Sequence, residues 1–398
     1  MKPARSLYAF LLDHKKQAER QAVLGKTAGG WLHASGCDNL HAVLSIFEYV
    51  YMALKQTVRS KAAELNRAPT STDVAKLAGV SQAAVSRVFT PGTSVSDRMR
   101  KRVQTAARQL NYVPNTLARS LMTQQSNIVA VVIGDMRNSG YSTLLTEASR
   151  RLEQIGKHIL LFNSSDPATF DDVLLQMLQY QVDAIVITAA SMSSRMAGVC
   201  LDRGVPVVML SRYVPGLPVH TVCCDNARGG EQAAKVLRKG GGRVFGAIYG
   251  DMNTTTTRER LEGYLNALQR VGIAAARVAQ VGGNYTYEGG YQATLELMRR
   301  PNPPDSLFCL TDLMALGVMD ALRSELKLRV PHDVAVFGFD DIAEAAHGAY
   351  SISTIRQPSV EMIDEMIRLI STRKGQEEPR LLRIKGELVL RSSTHPMR

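Results

Sequence analysis

The spacing of apolar residues changes period along this chain. From Asp73 to Ala78 they fall at Val74, Leu77 and Ala78, one side of a short helix. Thr72 is placed to cap that helix, Gly79 to end it in the left-handed region without steric cost, and Val80 to be buried in the turn. Ser81 then caps a second helix with Val85 and Val88 inward and Gln82, Ala83, Ser86 and Arg87 outward. A third helix is opened by Asp97, with Met99, Val103, Ala106, Ala107 and Leu110 inward and Arg98, Arg100, Lys101 and Arg102 outward. Asn111-Tyr112-Val113-Pro114 stops it, since the residue before proline is driven out of helical geometry. NTLARSLM, after Pro114, is a short helical pattern with too few apolar residues for a core.

From Ile128 onward, apolar runs alternate with helix-length segments. The runs are IVAVVI (128–133), HILLFN (158–163), DAIVIT (183–188), PVVML (206–210), VFGAIY (244–249), SLFCL (306–310) and VAVFGF (334–339). Buried strands spaced in this way predict an α/β body of parallel sheets wound with helices. One set precedes Asp225 and one follows it, which predicts two doubly wound subdomains with a ligand cleft at the carboxyl ends of their strands.

Charge changes the picture once it is located. The net charge of the 398 residues is +12. Residues 1–68 hold 10 Lys and Arg against 5 Asp and Glu, residues 69–125 hold 8 against 2, and residues 126–398 hold 30 against 29. The excess thus lies in the first third, as expected of a polyanion-binding module on a neutral body; a basic solvated surface has the same composition. The five cysteines have no C-x-x-C spacing, which suits a reducing compartment and points to neither a zinc site nor a disulfide framework. The run Leu7–Leu12 meets Asp13, His14, Lys15 and Lys16 without a cleavage pattern, and Ala42–Leu54 is too short to span a bilayer. A cytoplasmic location without membrane attachment is expected.

Enzymatic chemistry finds little support. Neither GKTAGG (25–30) nor GGGRVFG (240–246) gives a phosphate-cradling loop, the eight histidines are scattered, and nucleophile-elbow spacing is absent. The expectation is no catalysis, no cofactor and no metal. A transport-type solute-binding protein would share the clefted body, but would need a signal peptide and no helical head. A sugar kinase with a regulatory head would need the missing phosphate loop.

Helix, glycine turn, helix is the unit that sets its second helix into a DNA major groove, where Gln and Arg bond bidentately to adenine and guanine. An ordinary helical hairpin with a polar face has the same spacing. DVAKLAGVSQAAVSRVF followed by VSDRMRKRVQTAARQLNYVPNTLARSL resembles the head of the lactose-repressor (LacI/GalR) family of bacterial transcription regulators. The resemblance runs from Thr70 to about Arg391. It implies base reading by Gln82, Ala83 and Arg87, and further DNA contacts from Thr70, Thr72, Ser81, Ser86, Ser94, Asn115, Ala118 and Arg119. It also implies a hinge helix after Pro114 whose paired Leu121 side chains wedge open the minor groove. Met122 stands where members often carry a basic residue.

In the body, CDNARGG (224–230), RERLEGY (258–264), TDLMALGVMDALR (311–323), VPHDVAVFGFDD (330–341) and STIRQP (353–358) match the family's periplasmic-binding-protein-like core. The resemblance places Arg260, Asp340, Thr188, Ser211 and Gln357 at the effector cleft. Tyr285 stands for an aromatic that stacks on a sugar ring, and Thr311 for an effector-binding Asn. RNSGYSTLL replaces the usual Asn-Pro and two aromatics, leaving Tyr141 alone. Arg260 and Asp340 also fit a structural ion pair between the subdomains.

The expected organisation is an extension over 1–68, a head over 69–113, a hinge over 114–126 and a core over 127–398. The core divides into 127–224 plus 357–386, and 225–356 plus the tail. The extension, with one apolar patch (41–58), reads either as a partner-binding segment or as a start placed too early, Met52 being another candidate; the second is favoured. The resemblance further implies a homodimer on pseudo-palindromic operator DNA, controlled by a hydroxyl-rich small-molecule effector.

Overall fold

The structure, a computed structural model, describes residues 67–90, 92–115, 125–134, 139–164, 169–188, 192–372 and 378–396. Most of the extension, and Ala118, Arg119, Leu121 and Met122 of the expected hinge, lie outside the described residues. The chain divides into two compact units, Met1–Pro114 and Asn115–Arg398.

Among the described residues of the first unit, three helices pack together, α1 (Ser71–Ala78), α2 (Gln82–Phe89) and α3 (Asp97–Gln109). Val74, Ala75, Ala78, Val85, Val88, Val103, Ala106 and Ala107 are its buried core, flanked by Met99 and Leu110. Three details correct the sequence reading. Thr70, not Thr72, caps α1: its backbone is extended and its side chain accepts from Asp73 N–H, while Asp73 returns a bond to Thr70 N–H at 2.9 Å. This reciprocal capping box starts the helix two residues sooner and puts Thr72 in its first turn. Leu77 is 52% exposed, because Ala75 rather than Leu77 completes the buried face with Val74 and Ala78. Arg102 does not project freely: its Nη2 donates to Ala78 O at 2.6 Å, satisfying a carbonyl at the end of α1. Gly79 holds φ 61° there, as the left-handed C-cap requires. Arg67 clamps the other end, both guanidinium Nη atoms donating to the Asp73 carboxylate at 2.8 and 2.9 Å.

The second unit follows an alternating order. It runs β1 (Ile128–Ile133), α4 (Ser139–Gln154), β2 (His158–Asn163), α5 (Phe170–Gln179), β3 (Ala184–Ile187), α6 (Ser194–Asp202), β4 (Val207–Leu210) and β5 (His220–Cys224). It continues as α7 (Asn226–Lys239), β6 (Phe245–Tyr249), α8 (Thr255–Arg270), β7 (Ala279–Gly282), α9 (Tyr287–Met298), β8 (Ser306–Cys309), α10 (Asp312–Asp320) and β9 (Ala335–Phe337). The last elements are β10 (Thr354–Arg356), α11 (Ser359–Ser371), β11 (Leu381–Ile384) and β12 (Glu387–Val389).

Two parallel sheets result, ordered β11-β5-β4-β3-β1-β2 and β7-β6-β8-β9, with β10 and β12 paired antiparallel. This is the α/β architecture the alternating runs predict. HILLFN departs from expectation: as the edge strand β2 it is half-exposed rather than buried. The chain leaves the first sheet after Cys224, returns between Arg356 and Ser359, and leaves again between Ile384 and Glu387. Helices α7 and α8 lie backbone to backbone. A Cβ on Gly230 would sit 2.0 Å from Arg260 O, and one on Gly263 2.0 Å from Ala227 O, which accounts for the glycines of CDNARGG and RERLEGY.

Candidate functional site

On the first unit, α2 presents one polar face. Ser81 caps it, accepting from Ala84 N–H at 3.2 Å, and Val85 and Val88 face the core. Gln82, Ala83, Ser86 and Arg87 are therefore turned to solvent, and Thr70, Thr72, Ser81, Ser94 and Asn115 are exposed as well. Gln82 Nε2 donates across the turn to Ser71 Oγ at 2.9 Å, so the side chain at the start of α2 is oriented by α1. An exposed helix carrying Gln and Arg, stiffened from behind by a second helix, is suited to reading base edges.

In the second unit, a cavity of about 590 Å³ opens where strands of both sheets end. Much of the wall comes from segments that follow strands: Ser211 and Arg212 after β4, Tyr285 after β7, Thr311 after β8 and Asp340 after β9, with Tyr141 and Thr256 in the first turns of α4 and α8. The strand order reverses between β3, β1 and β2 in one sheet, and between β7, β6 and β8 in the other, which opens the crevice there. Left-handed backbone collects at the same place, with φ 72° at Ser211, 59° at Tyr285, 120° at Asp340 and 58° at Asp341. Strained residues of this kind persist where surrounding contacts hold them, commonly at ligand sites.

Arg260 and Asp340 meet on the cavity wall. Arg260 Nη1 lies 3.1 Å from Asp340 Oδ1, with side chains 4% and 7% exposed. Arg260 also donates to Asn226 Oδ1 at 3.0 Å and to Leu310 O at 2.5 Å, and its guanidinium lies 3.5 Å from the Phe339 ring centroid. Asp340 Oδ1 also accepts from Gln357 Nε2 at 2.7 Å. Both residues of the pair belong to the part of the body built on the second sheet, so the ion pair is not one between subdomains. Burial pushes the Asp340 carboxyl up, against the pull of Arg260 and Gln357.

Beneath it, Asp312 is wholly buried. Its carboxylate accepts from Thr354 Oγ1 at 2.8 Å and Ile342 N–H at 3.1 Å, tying α10 to the loop that carries Asp340. Burial, reinforced by the nearby Asp340 charge, raises this carboxyl to about 7.

Tyr141, Ser211, Arg260, Tyr285, Thr311, Asp340 and Gln357 thus share one cavity. Thr188 is not among its lining residues: it is buried at the end of β3, its hydroxyl donating to Val132 O at 3.0 Å. Tyr285 is fixed rather than mobile, its hydroxyl bonded to Thr254 at 2.7 Å and to Thr257, and its ring against Gly250. Arg212 lies over that ring at 5.1 Å from the centroid. Arg212 and Thr256 escaped the sequence reading. An arginine directly after PVVMLS, in an otherwise apolar stretch, was the available signal for the first; within TTTT nothing distinguishes Thr256.

Beside the cavity, a polar cluster spans the two sheets. Glu259 Oε1 accepts from Tyr213 Oη at 2.7 Å and from Arg383 Nη2 at 2.8 Å, and Asn226 Nδ2 donates to Glu259 Oε2 at 3.3 Å. Tyr213 and Arg383 follow or lie on strands of the first sheet, whereas Glu259 is on α8. Among the described residues no group of His, Cys, Asp and Glu is placed to hold a metal ion, and no helix is long and apolar enough to cross a membrane.

A helix-turn-helix head and a body with a polar, strained cavity between two sheets define a ligand-responsive DNA-binding regulator. The comparisons agree. Residues 70–115 match the model for bacterial regulatory proteins of the lacI family, and residues 234–394 match the periplasmic binding protein-like domain. The transcriptional regulator DegA of Bacillus subtilis (strain 168) is 30% identical over 332 residues, covering 82% of this chain and 98% of the relative. CelR of Thermobifida fusca is 32% identical, over 83% of this chain and 99% of the relative. The ribose operon repressor of Escherichia coli (strain K12) is 32% identical, over 78% and 95%.

Among solved structures, the lac repressor bound to ONPG in its repressed state matches with a TM-score of 0.74 and 25% identity, over 82% of this chain and 100% of that one. A CelR–cellobiose complex matches with a TM-score of 0.61 and 30% identity, over 82% and 99%. The chain belongs to the LacI family of transcriptional regulators, and it carries the DNA-binding head that a transport-type binding protein lacks. Its relatives are regulators, not enzymes.

Proposed function

We propose that the chain is a cytoplasmic repressor acting as a homodimer on pseudo-palindromic operator DNA, its affinity set by a hydroxyl-rich small molecule in the cavity. The observation that carries this reading is the pairing of an exposed α2, bearing Gln82, Ala83, Ser86 and Arg87, with a cavity lined by buried polar groups. Names of relatives support the ligand class: one structure holds cellobiose, and another relative is a ribose operon repressor. Gln82 and Arg87 read bases, while Thr70, Thr72, Ser81, Ser94, Asn115 and the basic side of α3 engage the backbone. Ala118, Arg119 and Leu121 form the hinge, with Leu121 wedging the minor groove. Tyr141, Ser211, Arg260, Tyr285, Thr311, Asp340 and Gln357 hold the effector. Catalysis, cofactor and metal have no part in it.

The test is an anisotropy titration against a randomised duplex library. The expected result is a preferred palindrome bound with steep salt dependence. Arg87→Ala is expected to relax preference at one base pair by about 1–3 kcal/mol. Binding without sequence preference would defeat the reading.

A further inference from the structure

We propose that Ser71 is a specificity-determining residue: it positions Gln82 so that the Gln82 amide selects adenine at one base pair of each half-site. This rests on the operator-binding reading above and goes beyond it, assigning base preference to a residue outside α2. The first observation is the bond across the turn, in which Gln82 Nε2 donates to Ser71 Oγ at 2.9 Å. Gln82 is the first residue of α2 and Ser71 the first of α1, so this bond joins the starts of the two helices. In a helix-turn-helix the amino end of the second helix is the part that meets base edges.

The second observation is that Ser71 is a fixed point. Thr70 and Asp73 cap α1 reciprocally, and Arg67 holds the Asp73 carboxylate at 2.8 and 2.9 Å. At the far end Arg102 Nη2 donates to Ala78 O at 2.6 Å, which ties α1 to α3. Ser81 caps α2 by accepting from Ala84 N–H at 3.2 Å and so fixes the backbone beside Gln82. The hydroxyl and the amide are carried on backbone that other contacts already hold. Arg87 is the contrast. Among the described residues its Nε donates to Ala83 O, on its own helix, at 3.5 Å, with no bond to α1.

The third is the chemistry of the amide. A carboxamide has one acceptor oxygen and two N–H donors. Bidentate pairing with adenine uses the oxygen, which accepts from N6–H, and one N–H, which donates to N7. Ser71 takes up one N–H of Gln82, leaving Oε1 and a single N–H, the set that adenine requires. Released from Ser71, the amide turns freely and offers its NH2 to the acceptors of guanine and thymine as well. A freed Gln82 must also be immobilised anew on the correct base, a cost that it does not meet on a base it fails to engage.

The experiment selects the full chain's preferred palindrome from the randomised duplex library, then measures anisotropy against every single-base-pair change of it. Gln82→Ala marks the base pair that Gln82 reads, where adenine is the expected preference. Ser71→Ala should reduce that preference about 3- to 10-fold per half-site, the cost of immobilising one rotamer-rich side chain, and Ser71→Thr should restore it. Preference at the base pair marked by Arg87→Ala should stay as in wild type. A change in stability alone would not single out one base pair, and urea midpoints of the variants measure it separately. Should Ser71→Ala fail to fold, Ser71→Val against Ser71→Thr makes the same comparison, methyl against hydroxyl. Undiminished preference at the Gln82 base pair in Ser71→Ala, a loss spread over every base pair, or a preferred base other than adenine would overturn the proposal. So would a Gln82→Ala variant that marks no base pair. A wild type without sequence preference would strike the regulator reading, whereas a preferred palindrome that Ser71→Ala leaves unaltered would strike only this one.

Discussion

Truncating Arg260 should cost far more stability than neutralising Asp340, and the cost should depend on pH. In Arg260→Ala the buried Asp340 carboxylate keeps only Gln357, at 2.7 Å, and a buried charge stripped of its partner costs about 3–5 kcal/mol. The guanidinium contact with Phe339 at 3.5 Å is lost too, for about 1–2 kcal/mol that overlaps the first figure. Asp340→Asn is milder. Arg260 and Gln357 both bond to the same oxygen, Oδ1, which an Asn carbonyl reproduces. The loss is then the difference between charge-assisted and neutral bonds, about 1–2 kcal/mol. The sign with pH follows from Asp340, whose carboxyl is already raised by burial and rises further without Arg260. A raised acid contributes stability in full below its unfolded value and loses it as pH climbs through the folded one. The deficit of Arg260→Ala relative to wild type should therefore shrink from neutral pH to about pH 5. Urea unfolding followed by far-ultraviolet circular dichroism measures it. Equal losses in the two variants, or an Arg260→Ala deficit that ignores pH, would refute the reasoning.

Two further outcomes follow from the core. Asp312, raised to about 7 from 3.8, should make wild-type stability fall as pH rises across that window, on the order of 4 kcal/mol in total, and Asp312→Asn should flatten that slope in a pH series of urea midpoints. Gly230→Ala should destabilise by about 3 kcal/mol or more in the same assay, because its Cβ meets the backbone of α8 at Arg260 O and no side chain can yield.

The strand runs were legible where burial on both faces makes an unbroken apolar stretch, as at IVAVVI. They were not legible at HTVCC, where β5 is buried yet carries His220 and Thr221, or at AQVG, where β7 is a four-residue edge. The head was legible because its signals are local: Gly79 in the left-handed region and Ser81 at a helix start need no tertiary contact. Thr72 failed as a cap because Thr70 commands a return bond from Asp73, which a one-sided propensity does not weigh. In the cavity, Arg260 and Asp340 are 80 positions apart and meet because α8 follows β6 and Asp340 follows β9, the two strands that flank β8. The family resemblance places Thr188 at the effector cleft. Its hydroxyl turns instead to the neighbouring strand β1, a choice that sheet register makes.

The cavity and the polar cluster between the sheets are built from adjacent residues on both sides. Arg212 lines the cavity and Tyr213 bonds to Glu259; Arg260 lines the cavity and Glu259 accepts from Tyr213 and Arg383. Asn226 joins the two systems through one amide, accepting from Arg260 Nε at 3.0 Å and donating to Glu259 Oε2 at 3.3 Å. It stands at the start of α7, two residues after the chain leaves the first sheet at Cys224. A continuous series of charge-assisted bonds therefore runs from Asp340 through Arg260, Asn226 and Glu259 to Tyr213 and Arg383, that is, from the cavity wall to the opposite sheet. Each such bond is worth about 1.5–3 kcal/mol, and allosteric coupling is typically 1–3 kcal/mol. The making or loss of a single bond in this series is thus enough to account for coupling of that size. A ligand competing for Arg260 would act on the first link, and the last joins Glu259 of α8 to Tyr213 and Arg383 of the first sheet.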